Sequence, residues 1–270
     1  MKKTGFLLLF LIANLASQAQ VLDLRFSLDN WKLELPTGYK ASDWKLSNFQ
    51  KDRFAKPFFY LDIADTALTM VAYPAEGKST ARYTRCTLRE QMQAGSNDVN
   101  WTFKEGALLE TEFSVVKISE DLKKNKAHRT ILFQIDGRTS PDQNEELGLE
   151  KSLSMPFLKI YWQDEWLYVK RRILKDEFTV GNALLDKNSW KESKGENLTK
   201  IGHDRIKLSI EVKRGAVLIR VNNGKPLVYR DASVKQWYFE NYFTAGNYLQ
   251  SKDTNAYCMV KYYDLKVSHD

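Results

Sequence analysis

The sequence predicts an all-β protein, a sandwich of two antiparallel sheets of the jelly-roll type. Short segments rich in β-branched and aromatic residues recur along most of the 270 residues, and most of them alternate in polarity. No helical stripe of comparable length interrupts them. No repeat at a fixed period suggests a propeller or a solenoid.

The predicted strands follow one another along the chain. The Asn-Gly pair at 223–224 lies between two of them and favours a β-hairpin. Two longer polar segments, 137–156 and 186–200, are expected to be loops. The strand segments are 58–63, 67–73, 107–118, 129–136, 157–163, 165–173, 205–213, 216–222, 226–230 and 257–267.

The first 20 residues have the pattern of a cleaved secretory signal. Two lysines precede an apolar run from Phe6 to Ile12, and small residues follow it. The run is too short to span a bilayer, and no later stretch is long enough. We expect residues 1–20 to be removed and residues 21–270 to form one secreted or periplasmic domain without a membrane span.

The charge balance is basic but modest. The formal net charge of +7 falls to +5 when the two lysines of the signal are removed. An excess of this size is common in proteins that bind no polyanion, so the position of the cations matters more than their number. We expect no nucleic-acid partner.

The two cysteines, Cys86 and Cys258, are far apart in the sequence. They could form one disulfide after export, or they could remain two buried, unpaired thiols. Both alternatives stay open. Two cysteines and three scattered histidines have no spacing typical of a zinc site, and no metal is expected.

The run YTRCTLREQMQ, residues 83–93, carries two cations four positions apart. In a strand, Arg85, Thr87, Arg89 and Gln91 share one face and Cys86 lies on the other. In a helix the two arginines would also share a face, so their spacing alone does not decide the structure.

Two further runs complete a pattern, namely FQID at 133–136 and YFTAGNYLQ at 242–250. In this order, and together with the opening LDNWKLELPTG at 28–38, the three runs resemble the alginate lyases of polysaccharide lyase family 7. That family carries Arg-Ser/Thr-Glu-Leu/Val-Arg, then Gln-Ile/Val-His, and then Tyr-Phe-Lys-Ala-Gly-x-Tyr-x-Gln. The resemblance covers essentially the whole mature chain.

The chain departs from the family's pattern at four positions. It has Cys86 in place of Ser or Thr, Thr87 in place of Glu, Thr244 in place of Lys and Asp136 in place of the catalytic His. The resemblance nevertheless implies a β-jelly roll whose concave sheet forms a groove for an acidic polysaccharide, alginate or a related 4-linked uronan.

The resemblance also implies residue roles. A lyase of this kind cleaves by β-elimination: it removes the C5 proton of a uronate and expels the sugar oxygen on C4. Arg85, Arg89 and Gln134 would neutralise the uronate carboxylate, and Tyr248 would transfer the proton. The residues expected to bind substrate are Tyr242, Gln250, Gln91 and Thr244. No cofactor is required, and we expect a monomer.

Asp136 has three interpretations, because an ionised carboxylate would repel a uronate. It could belong to a strand-end turn and point away from the groove. It could pair with Arg85 or Arg89 and replace the carboxylate absent at Thr87, which is the interpretation we favour. It could also be a protonated donor or a base, which requires a raised pKa.

Three functions from different classes remain. The first is a secreted uronan lyase, and the second is a non-catalytic binding protein that kept the groove but lost the histidine. The third, a glycoside hydrolase, needs two carboxylates across the scissile bond, and no closely spaced acidic pair lies on a predicted strand. The set of arginines, Gln134, Tyr248 and Gln250 favours the lyase.

Overall fold

The structure is a computed structural model that describes residues 26, 28–37, 40–41, 57–74, 82–121 and 123–269. The predicted signal, residues 1–20, lies outside this range. Two large antiparallel sheets confirm the all-β jelly roll. Among the described residues, no helix is long and apolar enough to cross a membrane.

Eighteen strands are described. They are β1 (Trp31–Glu34), β2 (Lys40–Ala41), β3 (Phe59–Asp62), β4 (Ala67–Ala72), β5 (Arg85–Glu90), β6 (Ala107–Ile118), β7 (Glu120–Asp121), β8 (Lys126–Ala127), β9 (Thr130–Arg138), β10 (Ser154–Gln163), β11 (Trp166–Leu174), β12 (Trp190–Glu192), β13 (Glu196–Lys200), β14 (Ile206–Lys213), β15 (Ala216–Val221), β16 (Leu227–Tyr229), β17 (Glu240–Leu249) and β18 (Cys258–Ser268).

The larger sheet, called the groove sheet below, has the strand order β12-β11-β10-β9-β17-β5-β1-β2, and β13 also pairs with β11. The back sheet has the order β16-β15-β14-β6-β18-β4-β3. Strands β7 and β8 form a separate two-stranded sheet. The helices are α1 (Pro141–Glu146) and α2 (Ala232–Lys235), and 3-10 turns occur at Leu28–Asn30, Gly181–Leu185 and Lys187–Ser189.

The strand predictions are confirmed to within a few residues, whereas the two predicted loops are wrong in part. Segment 137–156 contains α1, which begins with a capping box: the Ser140 hydroxyl accepts from the Gln143 N–H, and the Gln143 side chain accepts from the Ser140 N–H. Segment 186–200 contains the short strands β12 and β13, which both pair with β11. Apart from the buried Trp190, these strands are polar and mostly exposed, and no apolar alternation reveals them.

The core lies between the two sheets. On β5, Cys86 and Leu88 point into this core, whereas Arg85, Thr87 and Arg89 point to the opposite face, as the alternation predicts. Cys86 and Cys258 are both free and fully buried, so the unpaired alternative is confirmed. Burial raises the pKa of both thiols.

Strand β17 lies between β5 and β9 and brings the distant sequence runs together. It pairs Tyr248 with Arg85 on one side and Tyr242 with Asp136 on the other. The register with β9 shifts between Ala245 and Tyr248, which is a β-bulge. Gly246 lies in this bulge with φ of +153°.

The C-terminal strand is tied to the groove sheet from behind. His269 Nε2 lies 2.7 Å from Oε1 of the buried Glu90 on β5. The other carboxylate oxygen of Glu90 accepts from Trp101 Nε1 at 3.0 Å and from the Phe243 N–H at 2.8 Å. Burial lowers the pKa of His269, but the hydrogen bond and charge of Glu90 outweigh it, so this pKa is raised overall.

We expect Gly246→Ala to destabilise the protein strongly. An added Cβ would lie 2.6 Å from both the Cys86 carbonyl oxygen and the Thr87 Cα, which are backbone atoms that cannot rotate away. The loss should reach about 3 kcal/mol or more, at the upper end of overpacking effects. Urea unfolding measures it. Gly148→Ala is the matched control, because Gly148 has φ of +63° but open space around its Cβ, and it should cost only about 1 kcal/mol. Equal losses in the two variants would contradict the steric argument.

We expect the stability lost in His269→Gln to depend on pH. A histidine whose folded pKa is raised contributes stability that is fully present below its unfolded pKa of about 6.5 and disappears as the pH rises through the folded pKa. The melting temperature of His269→Gln should therefore fall furthest below wild type near pH 5.5, and the gap should narrow by pH 9. In a Glu90→Gln background this pH dependence should be lost or reversed, because burial then lowers the pKa of His269 without the opposing charge of Glu90. A constant gap would show that the charge of His269 contributes nothing.

Candidate active site

A groove of about 440 Å³ lies on the outer face of the groove sheet, over β17 and its neighbours. Eight of the nine predicted site residues line it together, although they come from three distant runs. Its lining is Glu34, Arg82, Tyr83, Arg85, Thr87, Arg89, Ile131, Gln134, Asp136, Ser154, Pro156, Lys159, Tyr242, Thr244, Tyr248 and Gln250. Four cationic side chains against two carboxyls make the groove suitable for an anionic ligand.

Tyr248 is half-buried at one end of the groove. The Arg85 guanidinium carbon lies 5.5 Å from the centroid of its ring, and the Tyr83 ring makes an edge contact at 6.3 Å. Burial raises the pKa of Tyr248, and the neighbouring Arg85 opposes this effect. The hydroxyl of Tyr248 is therefore protonated at neutral pH and able to donate.

Arg85 forms an ion pair with Glu34, a residue from β1. Arg85 Nη2 lies 2.8 Å from Glu34 Oε2, and the two side chains are 33% and 18% exposed. Arg85 also lines the groove, and its guanidinium carbon lies beside the Tyr248 ring. Arg85 can therefore offer hydrogen-bond donors to an anion bound in the groove.

Arg89 is committed to the protein itself, contrary to the expectation that both arginines are available to substrate. Its side chain donates to Asn97 Oδ1 at 2.8 Å, to the Asn97 carbonyl at 3.2 Å, to Asn100 Oδ1 at 3.2 Å and to the Glu90 carbonyl at 3.1 Å. It also lies 3.8 Å above the Tyr242 ring. With only 8% of the residue exposed, Arg89 supports Tyr242 and the loop that contains Asn97 and Asn100.

Asp136 points into the groove, which contradicts the interpretation of a turn residue facing away. Its Oδ1 accepts from Gln134 Nε2 at 2.9 Å, and its Oδ2 accepts from Thr244 Oγ1 at 2.7 Å. The favoured pairing with an arginine is also wrong among the described residues, because Arg85 pairs with Glu34 and Arg89 is held by the loop. Register explains this result: Asp136 lies opposite Tyr242, several residues along β17 from the partner of Arg85.

The pKa of Asp136 is raised, as the third interpretation requires. Burial is the main cause, while the Thr244 hydrogen bond and the charges of Arg85 and Lys159 act in the opposite direction. The pKa of the neighbouring Tyr242 is raised to about 12. Burial and the negative charge of Asp136 raise it, and the positive charge of Arg89 partly opposes them. Asp136 can therefore take up a proton more readily than an exposed aspartate.

Gln91 is the one predicted site residue that does not line the groove. It follows the last residue of β5 and is fully buried. Its side chain donates to Asn97 Oδ1 at 3.0 Å and accepts from the Gly95 N–H at 3.1 Å. The alternation ends with the strand, and Gln91 holds the loop after it, so its assignment to substrate binding is corrected.

The sequence reasoning missed several groove residues, among them Glu34 and Lys159. Glu34 had a usable signal, because Trp31 and Leu33 alternate with it in the opening strand and are buried. Lys159 lies opposite Gln134 and pairs with Glu192 at 2.8 Å. A register shift between Pro156 and Leu158 hides its face from a simple alternation.

One cluster of described residues could surround a cation, namely Asp121, His128 and Asp253. Lys124 Nζ already lies 2.7 Å from Asp121 Oδ2, and His128 Nε2 lies 3.0 Å from Asp253 Oδ2. None of these residues lines the groove. The cluster is accounted for by its own ion pairs.

Comparison with known proteins gives a consistent result. The model of the family described as "Alginate lyase" matches residues 26–269. Alginate lyase A1-II', described as a member of polysaccharide lyase family-7, has a TM-score of 0.67 at 24% identity over 91% of this chain and 96% of that chain. A variant of the same enzyme, in complex with product (GGG), has a TM-score of 0.67 at 25% identity over 91% and 97%.

An alginate lyase from Pseudomonas aeruginosa is also similar, with a TM-score of 0.63 at 20% identity over 90% of this chain and 99% of that chain. No curated protein matches the chain. Each structural match covers at least nine-tenths of both compared chains, so the similarity concerns the whole sandwich and not a local motif.

Proposed function

The chain belongs to the alginate lyases of polysaccharide lyase family 7, and we propose that it cleaves alginate or a related 4-linked uronan by β-elimination. The observation that carries this proposal is the convergence of Tyr248, Arg85, Gln134 and Asp136 in one cationic groove. The product complex of alginate lyase A1-II' supports the choice of substrate. We further propose that the mature protein is a single, monomeric domain that acts outside the cytoplasm.

Arg85 and Gln134 would make the C5 proton removable. Loss of this proton pushes negative charge onto a carboxylate that is already ionised, so the reaction needs donors aimed at that group. The guanidinium of Arg85, whose Nη2 pairs with Glu34, supplies charge. The second N–H of the Gln134 amide, whose first N–H binds Asp136, supplies a hydrogen bond. Arg89 would act only by supporting Tyr242.

Tyr248 would carry the proton transfer. As the C5–H bond breaks, the C4=C5 double bond forms and the bond from C4 to the glycosidic oxygen breaks. The raised pKa of Tyr248 keeps its hydroxyl protonated, ready to donate to the leaving oxygen. In a syn elimination, the tyrosine oxygen can accept the C5 proton as its own proton leaves, which returns the residue to its starting state.

Asp136 would be neutral when substrate binds. An incoming uronate disfavours the charged form of this carboxyl, and burial already does the same. A protonated Asp136 no longer repels the substrate and can donate a hydrogen bond. We therefore assign Asp136 to binding and not to proton abstraction.

A second candidate function is a non-catalytic protein that binds acidic glycans. The observation that favours it is Asp136 itself, which stands where the family has its catalytic histidine. A panel of acidic polysaccharides, followed by the ultraviolet absorbance of the unsaturated uronate product, separates the two functions. Binding without an absorbance change on every polymer would support the second candidate.

We expect Tyr248→Phe to lower turnover by about 100-fold or more, the usual scale for a general acid–base residue. The ring and its contacts with Arg85 and Tyr83 remain, so KM should change little. Initial rates of product absorbance measure the effect. Tyr238→Phe is the matched control, because Tyr238 is 51% exposed and does not line the groove. Turnover near wild type in Tyr248→Phe would assign the proton to another group.

We expect Asp136→Asn to keep its activity and to change the pH profile. The amide has the shape of the protonated carboxyl but cannot ionise. In wild type, kcat/KM on a uronan should fall as the pH rises through the raised pKa of Asp136, because a negative charge then appears beside the substrate. In the variant this decline should disappear, so that the ratio of variant to wild type grows with pH. If Asp136 is the base, Asp136→Asn should instead lose about 100-fold at every pH.

A further inference from the structure

Strand β1 supplies the groove with a carboxylate, that of Glu34. Trp31, Leu33 and Leu35 are buried in the core, so the alternation turns Glu34 to the groove face. In the antiparallel pairing of β1 with β5, Glu34 lies directly opposite Thr87. Thr87 is the position at which the family carries glutamate, so the missing carboxylate is replaced from the adjacent strand.

Among the residues that the structure describes, this carboxylate pairs with Arg85 at 2.8 Å. The other groove carboxyl, Asp136, is occupied by Gln134 and Thr244. The buried hydroxyl of Thr87 has no hydrogen-bond partner in the described part of the chain and does not hold Arg85. Glu34 is therefore the described side chain whose charge fixes the guanidinium in place.

The position of Arg85 matters because it faces Tyr248. The two residues are direct register partners, and the guanidinium carbon lies 5.5 Å from the ring centroid. A one-third exposed arginine has many rotamers, and the ion pair with the less exposed Glu34 carboxylate selects among them. A cation held beside the proton donor can act on both the substrate carboxylate and the tyrosine.

We infer that Glu34 is a positioning residue, which holds the Arg85 guanidinium between the uronate carboxylate and Tyr248 for the elimination step. The inference rests on the proposed function, since it assigns a role in that reaction. Glu34 does not touch the substrate in this scheme. Its contribution is realised in the transition state, when charge develops on the carboxylate, and not in substrate binding.

We expect Glu34→Gln to lower kcat without raising KM. Loss of the carboxylate leaves one more net positive charge in the groove, so a polyanion should bind no worse and KM should stay level or fall. Arg85 is no longer fixed, so kcat should fall on the order of 10-fold. Glu34→Asp keeps the charge on a shorter side chain and should recover part of kcat. Absorbance assays on a uronan that wild type cleaves give both constants.

Glu192→Gln is the matched control. Glu192 pairs with the groove residue Lys159 at 2.8 Å and with Lys170 at 3.3 Å, so its removal changes the local charge by the same amount without affecting Arg85. The control should leave kcat near wild type. Equal kinetic changes in both variants, or a raised KM with unchanged kcat in Glu34→Gln, would overturn the inference in favour of a simple charge effect.

A thermal double-mutant cycle tests the ion pair without any assay of activity. The melting temperatures of Glu34→Gln, Arg85→Gln and the double variant should be non-additive, because each single variant already breaks the pair. Additive effects would overturn the role assigned to Glu34 but would leave the proposed function unaffected. Failure of wild type to cleave any uronan would overturn the proposed function, and with it the role of Glu34 in turnover, even if the cycle shows coupling.

Discussion

The pairing of β17 between β5 and β9 is the constraint on which the groove depends. Each of these strands carries one of the three sequence runs, and the register decides which side chains meet. The bulge at Gly246 shifts this register once, between the part of β17 that carries Tyr242 and Thr244 and the part that carries Tyr248. Because the backbone of β5 approaches Gly246 so closely, a larger residue in the bulge would strain the pairing of β17 with β5.

Register also determines the electrostatic pattern along the groove. The end near Tyr248 holds an arginine paired with a carboxylate from β1. The end near Tyr242 holds a carboxyl that accepts hydrogen bonds from two neutral side chains. The first end is suited to an anion that gains charge during the reaction. The second end changes its charge with pH, because burial favours the neutral form of Asp136.

Much of this architecture could be predicted from the sequence, since alternation and β-branched composition are local signals. The same alternation placed Arg85, Thr87 and Arg89 on the groove face of β5, and the family resemblance linked the three runs. What the sequence could not supply is partner choice. Arg89 is bound by Asn97 and Asn100, which belong to a loop without periodicity, and Glu34 comes from a strand more than fifty residues before its partner Arg85.

Asp136 illustrates the same limit. A missing glutamate on β5 and an added aspartate on β9 suggested that the two changes compensate each other. Strand β1 pairs directly with β5, whereas β17 separates β9 from β5. The carboxylate that pairs with Arg85 therefore comes from Glu34 on β1 and not from Asp136 on β9. Residues that depart from a family pattern cannot be paired by charge alone when the order of the strands in the sheet is unknown.

The two unpaired cysteines give the molecule an internal reporter of its own unfolding. Both thiols are fully buried, and the Cys86 Sγ donates to the Phe58 carbonyl inside the core. Their raised pKa and lack of solvent access leave almost no thiolate for an alkylating reagent to attack. Modification therefore requires the sandwich to open, so the rate of thiol labelling measures how often the two sheets separate, without any introduced probe.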